Sequence, residues 1–543
     1  MMKTRLLTVL AFAVLLFAAC TNKDASQYSL MIPDDAPFVV HISGSSLSSK
    51  ISWEEISESA WFREMANKSD DSLASELLKD PSNSGIDTKA DLVVFSKTPG
   101  NRSYVVVAGT IADPGKFEKF ISTLHKEEKA ETKTENGFSY QASSQGAVIW
   151  NKSRFAFCGD NESGAFGGRP VRMGFNGEDV SPSSGYGPDS LKYFAEATLT
   201  PKSKGNLEAD ARYQELIKDG RDIHMWVNSG TLNSGMSNFS PIDLSGWLKG
   251  NVSAMSFNFD NGKITGKFKQ YAGEEMKKLM EKHSAEPIPA ALINRIPDTA
   301  ALAVMAFSFP PAAIKDFLRA TGADSFLEMG LGQQGFSVDD LIAATKGQML
   351  LTLSNPGTAT EPGSPMSTMK FLFATSVNDK KAFEKLVTSI WDTFKKMKGG
   401  DEEGGKAPEL PFNYKIQDDW FALSNVAELT DGFLAGGSHP QQFADRLAGH
   451  PFGMYVDLQR IIRVFQRSGD PDGKFSEPLN TWQDVFVTGG NYANGASTAE
   501  MEINMVDKST NSLKQLNRYL ENMEKQKAAR REAEKIELNS DEK

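Results

Sequence analysis

The feature that most constrains the fold of this sequence is a phrase that occurs twice. Residues 32–43 read Ile-Pro-Asp-Asp-Ala-Pro-Phe-Val-Val-His-Ile-Ser, and residues 296–307 read Ile-Pro-Asp-Thr-Ala-Ala-Leu-Ala-Val-Met-Ala-Phe. Each phrase is a proline turn that enters an apolar run, which is the pattern of a buried strand. The copies lie 296 − 32 = 264 residues apart, about half of the 543-residue chain. The spacing therefore predicts a tandem duplication.

Further matches lie at similar offsets, 257 residues for one strand and 266 residues for the next strand and the helix after it. The strand patterns 91–95 and 104–108 correspond to 348–352 and 370–374, and Asp113 and Asp379 stand at equivalent helix N-caps. In each half, the helix that follows has apolar residues at i, i+3, i+4 and i+7, one face of an α-helix. These residues are Phe117, Phe120, Ile121 and Leu124 in the first half, and Phe383, Leu386, Val387 and Ile390 in the second. Residues 137–140 resemble 411–414 more loosely.

Strands joined by hairpins, with helices between some of them, predict an α+β fold. We expect two tandem homologous units, each a mostly antiparallel sheet with helices packed on one face. Asn261-Gly262 and Asn494-Gly495 favour type I′ hairpin turns. The predicted segments are a leader (1–19), a tether (20–30), a first repeat (31–285) with a Gly/Ser-rich insertion (159–205), a linker (286–294), a second repeat (295–510), and a charged C-terminal helix and tail (511–543).

The N-terminus carries the pattern of an export signal. Lys3 and Arg5 precede an apolar run, 6–18, that is too short to span a membrane comfortably. The run ends in Phe17-Ala-Ala-Cys20, which resembles a bacterial lipobox, although Phe17 stands where Leu is usual. The resemblance implies a signal peptide removed before Cys20 and palmitate-type acyl chains on that cysteine, which would hold the protein at a membrane.

The location within the envelope follows from the next residues. Thr21-Asn22 lacks the aspartate that retains lipoproteins of well-studied Gram-negative bacteria at the inner membrane. By that resemblance we expect an outer-membrane protein, on either the periplasmic face or the cell surface.

A wider resemblance covers the chain after the leader. Tyr28, the phrase 29–40 and the helix with Trp53 and Trp61 resemble an uncharacterised lipoprotein family of Bacteroidota-type bacteria, a domain of unknown function. The resemblance implies the location and no activity.

The sequence predicts no catalytic, cofactor-binding or metal-binding residues. The net charge of −11 argues against nucleic-acid binding, which needs a basic surface. Of the two cysteines, Cys20 is the lipid-attachment candidate, so Cys158 lacks a disulfide partner within the chain and is expected to be buried on a strand. The histidines are scattered, and His41 and His224 are interpreted as satisfied residues of a sheet.

Four other patterns fail as functional motifs. Ser367-Thr-Met-Lys370 opens a strand rather than a helix, and Gly164–Gly168 lacks the lysine of a phosphate loop. The segment 470–473 does not have the glycine and glutamate positions of a calcium loop. The acid pairs 34/35 and 339/340 are candidates for hydrolysis, but their separation in space is not encoded in the pattern.

Two classes of function remain. The first is a non-enzymatic envelope lipoprotein, a binding, scaffolding or assembly factor, with an envelope protein or a small ligand held between the repeats. The alternative is a hydrolase of envelope or dietary polymers with an unrecognised carboxylate site, and a structural or adhesion role is a third option. An apolar patch would favour binding, whereas clustered acids with perturbed protonation would favour the enzyme.

Overall fold

The chain forms two compact α+β units. The computed structural model describes residues 29–67, 80–100, 102–124, 131–143, 146–160, 185–232, 245–297, 301–332, 336–354, 369–397, 412–467 and 473–541. Within these residues, unit 1 comprises 29–232, 248–270 and 508–541, and unit 2 comprises 245–247 and 271–507. The division differs from the predicted one, because 271–285 belong to unit 2 and the C-terminal helix belongs to unit 1.

The strands of both units are named here in chain order. Unit 1 contains β1 (Phe38–Ile42), β2 (Leu92–Lys97), β3 (Tyr104–Thr110), β4 (Lys133–Glu135), β5 (Phe138–Ala142), β6 (Gly146–Trp150), β7 (Arg154–Asp160), β8 (Ile223–Asn228), β9 (Val252–Asp260) and β10 (Lys263–Tyr271). Unit 2 contains β11 (Ala301–Ser308), β12 (Thr345–Ser354), β13 (Lys370–Val377), β14 (Asn413–Gln417), β15 (Trp420–Ser424), β16 (Phe452–Asp457), β17 (Trp482–Ala493) and β18 (Ala496–Met505).

The helices are named in the same way. The first nine are α1 (Gly44–Ser48), α2 (Trp53–Ser57), α3 (Ala60–Asn67), α4 (Pro114–Leu124), α5 (Pro188–Leu199), α6 (Ala211–Ile217), α7 (Ser229–Leu232), α8 (Ser245–Leu248) and α9 (Glu274–Lys282). The others are α10 (Ala290–Ile293), α11 (Ala313–Thr321), α12 (Asp324–Gly332), α13 (Val338–Ala344), α14 (Lys380–Met397), α15 (Ala427–Leu434), α16 (Ala444–Leu447), α17 (Leu458–Arg467), α18 (Ser476–Thr481) and α19 (Ser512–Asp541). Among the described residues, no helix combines the length and the apolar character needed to cross a membrane.

The predicted helix caps are confirmed. Ser52 forms a capping box with Glu55 at the start of α2, as the sequence indicates. Asp113 accepts hydrogen bonds from two backbone N–H groups at the start of α4, and Asp379 accepts one from Ala382 at the start of α14. Each cap satisfies donors that the first helical turn leaves without an intrahelical partner.

The sheet of unit 1 is antiparallel, as predicted. Its strands follow the order β10–β9–β8–β1–β2–β3–β7–β6–β5–β4. Helix α4 covers one side, where Phe117 and Ile121 join Val105 and Val107 in a buried core. Helices α5 and α6 lie on the other side, where Phe194 stacks on Tyr104 with ring centroids 4.1 Å apart.

The sheet of unit 2 has the order β18–β17–β16–β11–β12–β13–β15–β14. Helix α14 lies on one side, where Phe383 and Val387 pack with Phe421. Helices α15 and α16 lie on the other, where Phe433 and Leu447 belong to a core with strand residues of β11 and β12.

Helices therefore cover both faces of each sheet, and the expectation of helices on one face is wrong. The physical reason is visible in β2, where four consecutive residues, 92–95, are all at most 6% exposed. A strand that buries successive side chains buries both of its faces, because successive side chains point to opposite sides.

The insertion predicted at 159–205 also needs correction. Residues 188–199 form α5, which lies between β7 and β8 as α15 lies between β15 and β16. Leu191, Ala195 and Leu199 supply its buried face. Because β15 and β7 pair with β13 and β3 respectively, the hairpin β14–β15 occupies the place of β6–β7. The loose sequence match of 137–140 with 411–414 therefore aligns β5 with β14, whereas the order of pairing makes β6 the counterpart of β14.

One of the two predicted hairpin turns has the expected geometry. Asn494 and Gly495 both take positive φ, 52° and 78°, as a type I′ turn requires. In the other hairpin Gly262 has φ 67°, but Asn261 does not have a positive φ. Asn261 instead forms a bridge with Asn511, next to the start of α19.

The two polar helices that end the sequence halves are exchanged. Helix α9 follows the strands of unit 1 but belongs to unit 2, where Lys282 and His283 both lie 2.6 Å from Asp316 of α11. Helix α19 follows the strands of unit 2 but packs on unit 1. There Asn517 accepts a hydrogen bond from Trp61 Nε1 at 2.9 Å and donates to the backbone oxygen of Glu55 at 3.0 Å.

Candidate functional site

The most unusual polar arrangement in the described residues is a pair of buried histidines in unit 1. His41 on β1 and His224 on β8 are direct cross-strand partners, and they are 8% and 2% exposed. Their Nδ1 atoms lie 3.2 Å apart. Because Val40 and Ile42 pack on the α4 side of the sheet, the alternation of the strand places His41 on the side of α5 and α6.

Each imidazole ring contacts a carboxylate through its Nε2 atom. His41 Nε2 lies 3.1 Å from Asp91 Oδ2, and His224 Nε2 lies 2.7 Å from Asp219 Oδ1. Ser256 Oγ donates to the second oxygen of Asp219 at 2.6 Å. We call His41 and His224 the histidine pair. With Asp91 and Asp219 it forms a chain of four titratable groups across β2, β1 and β8.

The environment keeps both carboxylates ionised. Burial raises the pKa of Asp219, but hydrogen bonds from Ser256 and His224 outweigh this and hold it below its ordinary value. Asp91 is similar, because burial raises its pKa while the hydrogen bond from His41 lowers it further. Burial lowers the pKa of His224, a change that the hydrogen bond to Asp219 only partly reverses.

The fold does not require histidines at these positions. In unit 2 the strands β11 and β16 occupy the places of β1 and β8, and Ala306 and Gly453 are the corresponding cross-strand partners. A Cβ added to Gly453 would lie 3.0 Å from the Cβ of Leu447 in α16. Unit 2 thus brings a helix close to the sheet at the point where unit 1 holds two imidazole rings.

A second candidate site is an apolar surface on the sheet of unit 2. Two rows of side chains cross five strands in direct register. The first row is Met501, Val487, Met454, Met305 and Leu351, and the second is Ile503, Val485, Val456, Ala303 and Leu353. We call these ten residues the methionine face. All of them are partly exposed, and Leu351 is 36% exposed.

The opposite side of the sheet is closed along β11, β12, β13 and β15. Ala306, Leu350, Ala374 and Ala422 form a row of direct partners, and each is 0% exposed. The methionine face must therefore lie on the α14 side of the sheet, since neighbouring residues along a strand alternate.

Of the methionine face, unit 1 closes only the positions that correspond to β12. The rest of its row is partly exposed like the methionine face and comprises, in direct register on β1, β8 and β9, Val40, Met225 and Met255. Val94 on β2 and Val107 on β3 are direct partners and are both 3% exposed in the core beneath α4. Their counterparts by strand order, Leu351 and Phe373, remain partly exposed in unit 2. Helix α14 also leaves Ile390, which was expected on its packed face, 55% exposed.

The structure places the other candidate residues in structural roles or outside its described part. Cys158 lies on β7 and is 1% exposed, and burial raises the pKa of its thiol well above the ordinary value, which is unsuitable for a nucleophile. Asp339 and Asp340 pair with Lys315 and Lys385. Asp35 pairs with a lysine of β2. Outside the described residues lie Cys20, His125, the segment 164–168, Ser367, and Asp470 and Asp472.

The described residues contain no group of three or more His, Cys, Asp or Glu side chains arranged to hold a metal ion. The histidine pair alone offers two nitrogen atoms, which already face each other. Sequence patterns did not reveal the pair, because its two strands are 224 − 41 = 183 residues apart and only their register brings the rings together. The signal that could have been used is a histidine within each of two apolar strand patterns.

Comparison with known proteins gives limited information. A domain of unknown function (DUF4836) is found at residues 28–163. No curated protein matches the chain. Similar solved structures include crystal form IV of TP0453, with 9% identity over 49% of this chain and 90% of that chain and a TM-score of 0.26. Crystal form I of the same protein has 10% identity over 47% of this chain and 81% of that chain, with a TM-score of 0.24.

Proposed function

We propose that this protein is a lipid-anchored, non-enzymatic binding protein of the bacterial outer membrane whose second unit binds an apolar ligand. The observation that carries the binding function is the methionine face. An apolar surface that stays partly exposed on a folded unit marks an interaction site more often than a packing defect. The two positions on β2 that correspond to Leu351 and Leu353 are closed in unit 1, where they are Val94 and Ser96. This difference supports a specific role for the β12 part of this surface in unit 2.

The composition of the methionine face favours a hydrocarbon occupant, such as the acyl chain of an envelope lipid. Its two rows contain no charged or hydrogen-bonding side chain, and they lack the Trp, Tyr and Arg that dominate the energetic centres of protein interfaces. Three of the ten residues are methionines, whose flexible thioethers adapt to apolar surfaces of varied shape. Five strands extend about 19 Å across the sheet, the scale of a long acyl chain.

We also propose that the two units are homologous and arose by duplication. Support comes from the repeated Ile-Pro-Asp phrase and from the order of pairing, in which β8–β1–β2–β3–β7 parallels β16–β11–β12–β13–β15. The helices α4 and α14, and α5 and α15, also occupy parallel places in the two orders. After duplication, the two copies came to differ at β2 and β12, where Val94 is 3% exposed and Leu351 is 36% exposed.

The anchor rests on Cys20 and its lipobox-like context. Cells grown with radiolabelled palmitate should incorporate label into the full-length protein, and the Cys20→Ser variant should carry none. Label in the outer-membrane fraction supports the proposed location, while label retained in the Cys20→Ser variant would overturn the attachment site.

The binding function is tested with a fluorescent fatty acid, dansylaminoundecanoic acid, added to the full mature chain carrying Cys20→Ser. We expect saturable fluorescence enhancement. Leu351→Asp should weaken binding at least tenfold, about 1.4 kcal/mol, because a carboxylate on the face must be desolvated against hydrocarbon. The matched control is Leu520→Asp on α19, since Leu520 is also an exposed leucine, at 43%.

Unchanged affinity in Leu520→Asp together with the loss in Leu351→Asp supports the site. Absence of saturable binding, or equal losses in the two variants with unchanged circular dichroism, would overturn it. Recovery of a stoichiometric protein partner from the native envelope that competes with the fatty acid for this face would overturn the hydrocarbon occupant.

A further inference from the structure

We propose that the histidine pair is a proton-binding site. In folded unit 1 it binds one proton that the two rings share and resists a second, so that acidic pH selectively lowers the stability of this unit. The proposal rests on the geometry of the pair and is independent of the function proposed for the methionine face.

The carboxylates determine whether the two Nε2 atoms of the pair carry a hydrogen. An ionised carboxylate only accepts hydrogen bonds, so the 3.1 Å contact of His41 Nε2 with Asp91 and the 2.7 Å contact of His224 Nε2 with Asp219 place a hydrogen on each Nε2. Both acids have lowered pKa values, which removes the alternative in which a protonated acid donates to the ring.

The inner nitrogen atoms then admit one proton between them. With no proton, two lone pairs would face each other at 3.2 Å. With two protons, two N–H groups and two positive rings would meet in a buried site. One proton makes one Nδ1 a donor and the other an acceptor, and the resulting single positive charge lies between two negative carboxylates. Because the groups are coupled, the protons belong to the pair rather than to either ring.

The groups that face the pair come from every neighbouring element. They are Asp91 at the start of β2, Ser43 after β1, Asp219 and Arg221 in the loop before β8, Ser256 on β9 and Tyr213 on α6. Arg221 donates its backbone N–H to Asp219 at 3.0 Å, and Ser256 occupies the other carboxylate oxygen. In this set the two carboxylates are the only groups that are negatively charged near neutral pH. The side chain of Arg221 is a nearby cation, with its Nε 3.6 Å from Asp219 Oδ2. Neither carboxylate can take up a proton without losing a ring donor.

The direction of the pH effect follows from the geometry of the pair, which leaves room for one proton between the two Nδ1 atoms, and the lowered pKa of His224 agrees with it. In the unfolded chain both rings take up protons below about pH 6.5, whereas the folded pair resists the second one. The unfolded state then binds more protons, so stability falls as the pH falls below about 6.5. When the unfolded state binds one proton more than the folded state, the equilibrium constant for opening rises at most tenfold for each pH unit of acidification. The lowered pKa values of Asp91 and Asp219 add to this loss only below about pH 4.

The first test counts protons directly. Nitrogen-15 NMR of histidine-labelled protein with Cys20→Ser, with signals assigned by His41→Ala and His224→Ala, should show both Nε2 atoms protonated at pH 7. The Nδ1 signals should together account for one proton. Two unprotonated Nδ1 atoms, or an unprotonated Nε2 facing a carboxylate, would overturn the proposal even if neither variant can be used further.

The second test measures the consequence. In the Cys20→Ser chain Cys158 is the single remaining thiol, and because it is buried in unit 1, its labelling rate reports opening of that unit. Between pH 7.5 and 5, the opening constant should rise several-fold below pH 6.5, after correction for thiol reactivity in the unfolded chain. The double variant His41→Ala/His224→Gly installs the residues of unit 2 and should abolish this rise, whatever its effect on stability at pH 7.5. An equal rise in the double variant would refute the assignment.

Discussion

Removing the positive charge beside Asp222 should destabilise unit 1 strongly. The Asp222 side chain is 0% exposed, and Lys50, which is 17% exposed, lies 2.6 Å from it. Ser46 Oγ and the backbone N–H of Phe259 also donate to the carboxylate, each at 2.6 Å. Lys50→Met keeps these two donors but leaves a buried charge without its counter-ion, which costs about 3–5 kcal/mol. Because two donors remain, we expect the lower end of this range, a loss of about 3 kcal/mol, which corresponds to a roughly 150-fold larger equilibrium constant for opening of unit 1.

The assay is the labelling rate of Cys158 in the Cys20→Ser background, measured at pH 7.5 across a urea series. Lys514→Met is the matched control, because Lys514 forms a 2.7 Å ion pair with Glu55 in the same unit, but both side chains are more than 40% exposed. Such exposed pairs contribute about 0–1 kcal/mol. The double variant Lys50→Met/Asp222→Asn should recover more than half of the loss. If Lys50→Met costs no more than Lys514→Met, the reasoning from the buried charge is refuted.

Two further predictions concern the exchanged helices. Asn517→Ala removes the acceptor of Trp61 Nε1 and one backbone hydrogen bond, so it should destabilise unit 1 by about 1–3 kcal/mol in the Cys158 assay, and an unchanged rate would contradict the packing of α19. Hydrogen bonds from His283 and Lys282 lower the pKa of Asp316 to about 2. The contribution of Asp316 to the stability of the contact between α9 and α11 should therefore be complete above about pH 4 and disappear as the pH falls towards 2. Pepsin should cut α9 increasingly over that interval in the wild type, relative to a reference peptide, and at a constant rate in Asp316→Asn.

Local patterns predicted much of the fold. The strands at 91–95 and 104–108, the capping box at Ser52 and the cap at Asp113 depend on neighbours in sequence, and all are confirmed. The run 92–95 also contained the evidence that both faces of the sheet are covered, since a one-sided sheet would alternate with polar residues.

What could not be predicted depends on distant register. The meeting of His41 with His224 requires β1 to pair with β8 rather than another strand. The openness of the methionine face depends on how closely helices approach the sheet, which an apolar strand pattern does not express. His41 and His224 were correctly interpreted as residues of a sheet, but their pairing was missed.

The exchange of α9 and α19 has a consequence for how the protein is made. Unit 1 contains residues from near the beginning of the described chain and from its end, so it cannot be completed until the last helix has left the ribosome. If the chain is exported N-terminus first, the N-terminal part of unit 1 remains without its last helix while more than 200 residues follow, because unit 2 spans 271–507. Premature termination anywhere in unit 2 would then leave both units incomplete, and truncated products should be degraded by proteases rather than accumulate as a folded first half.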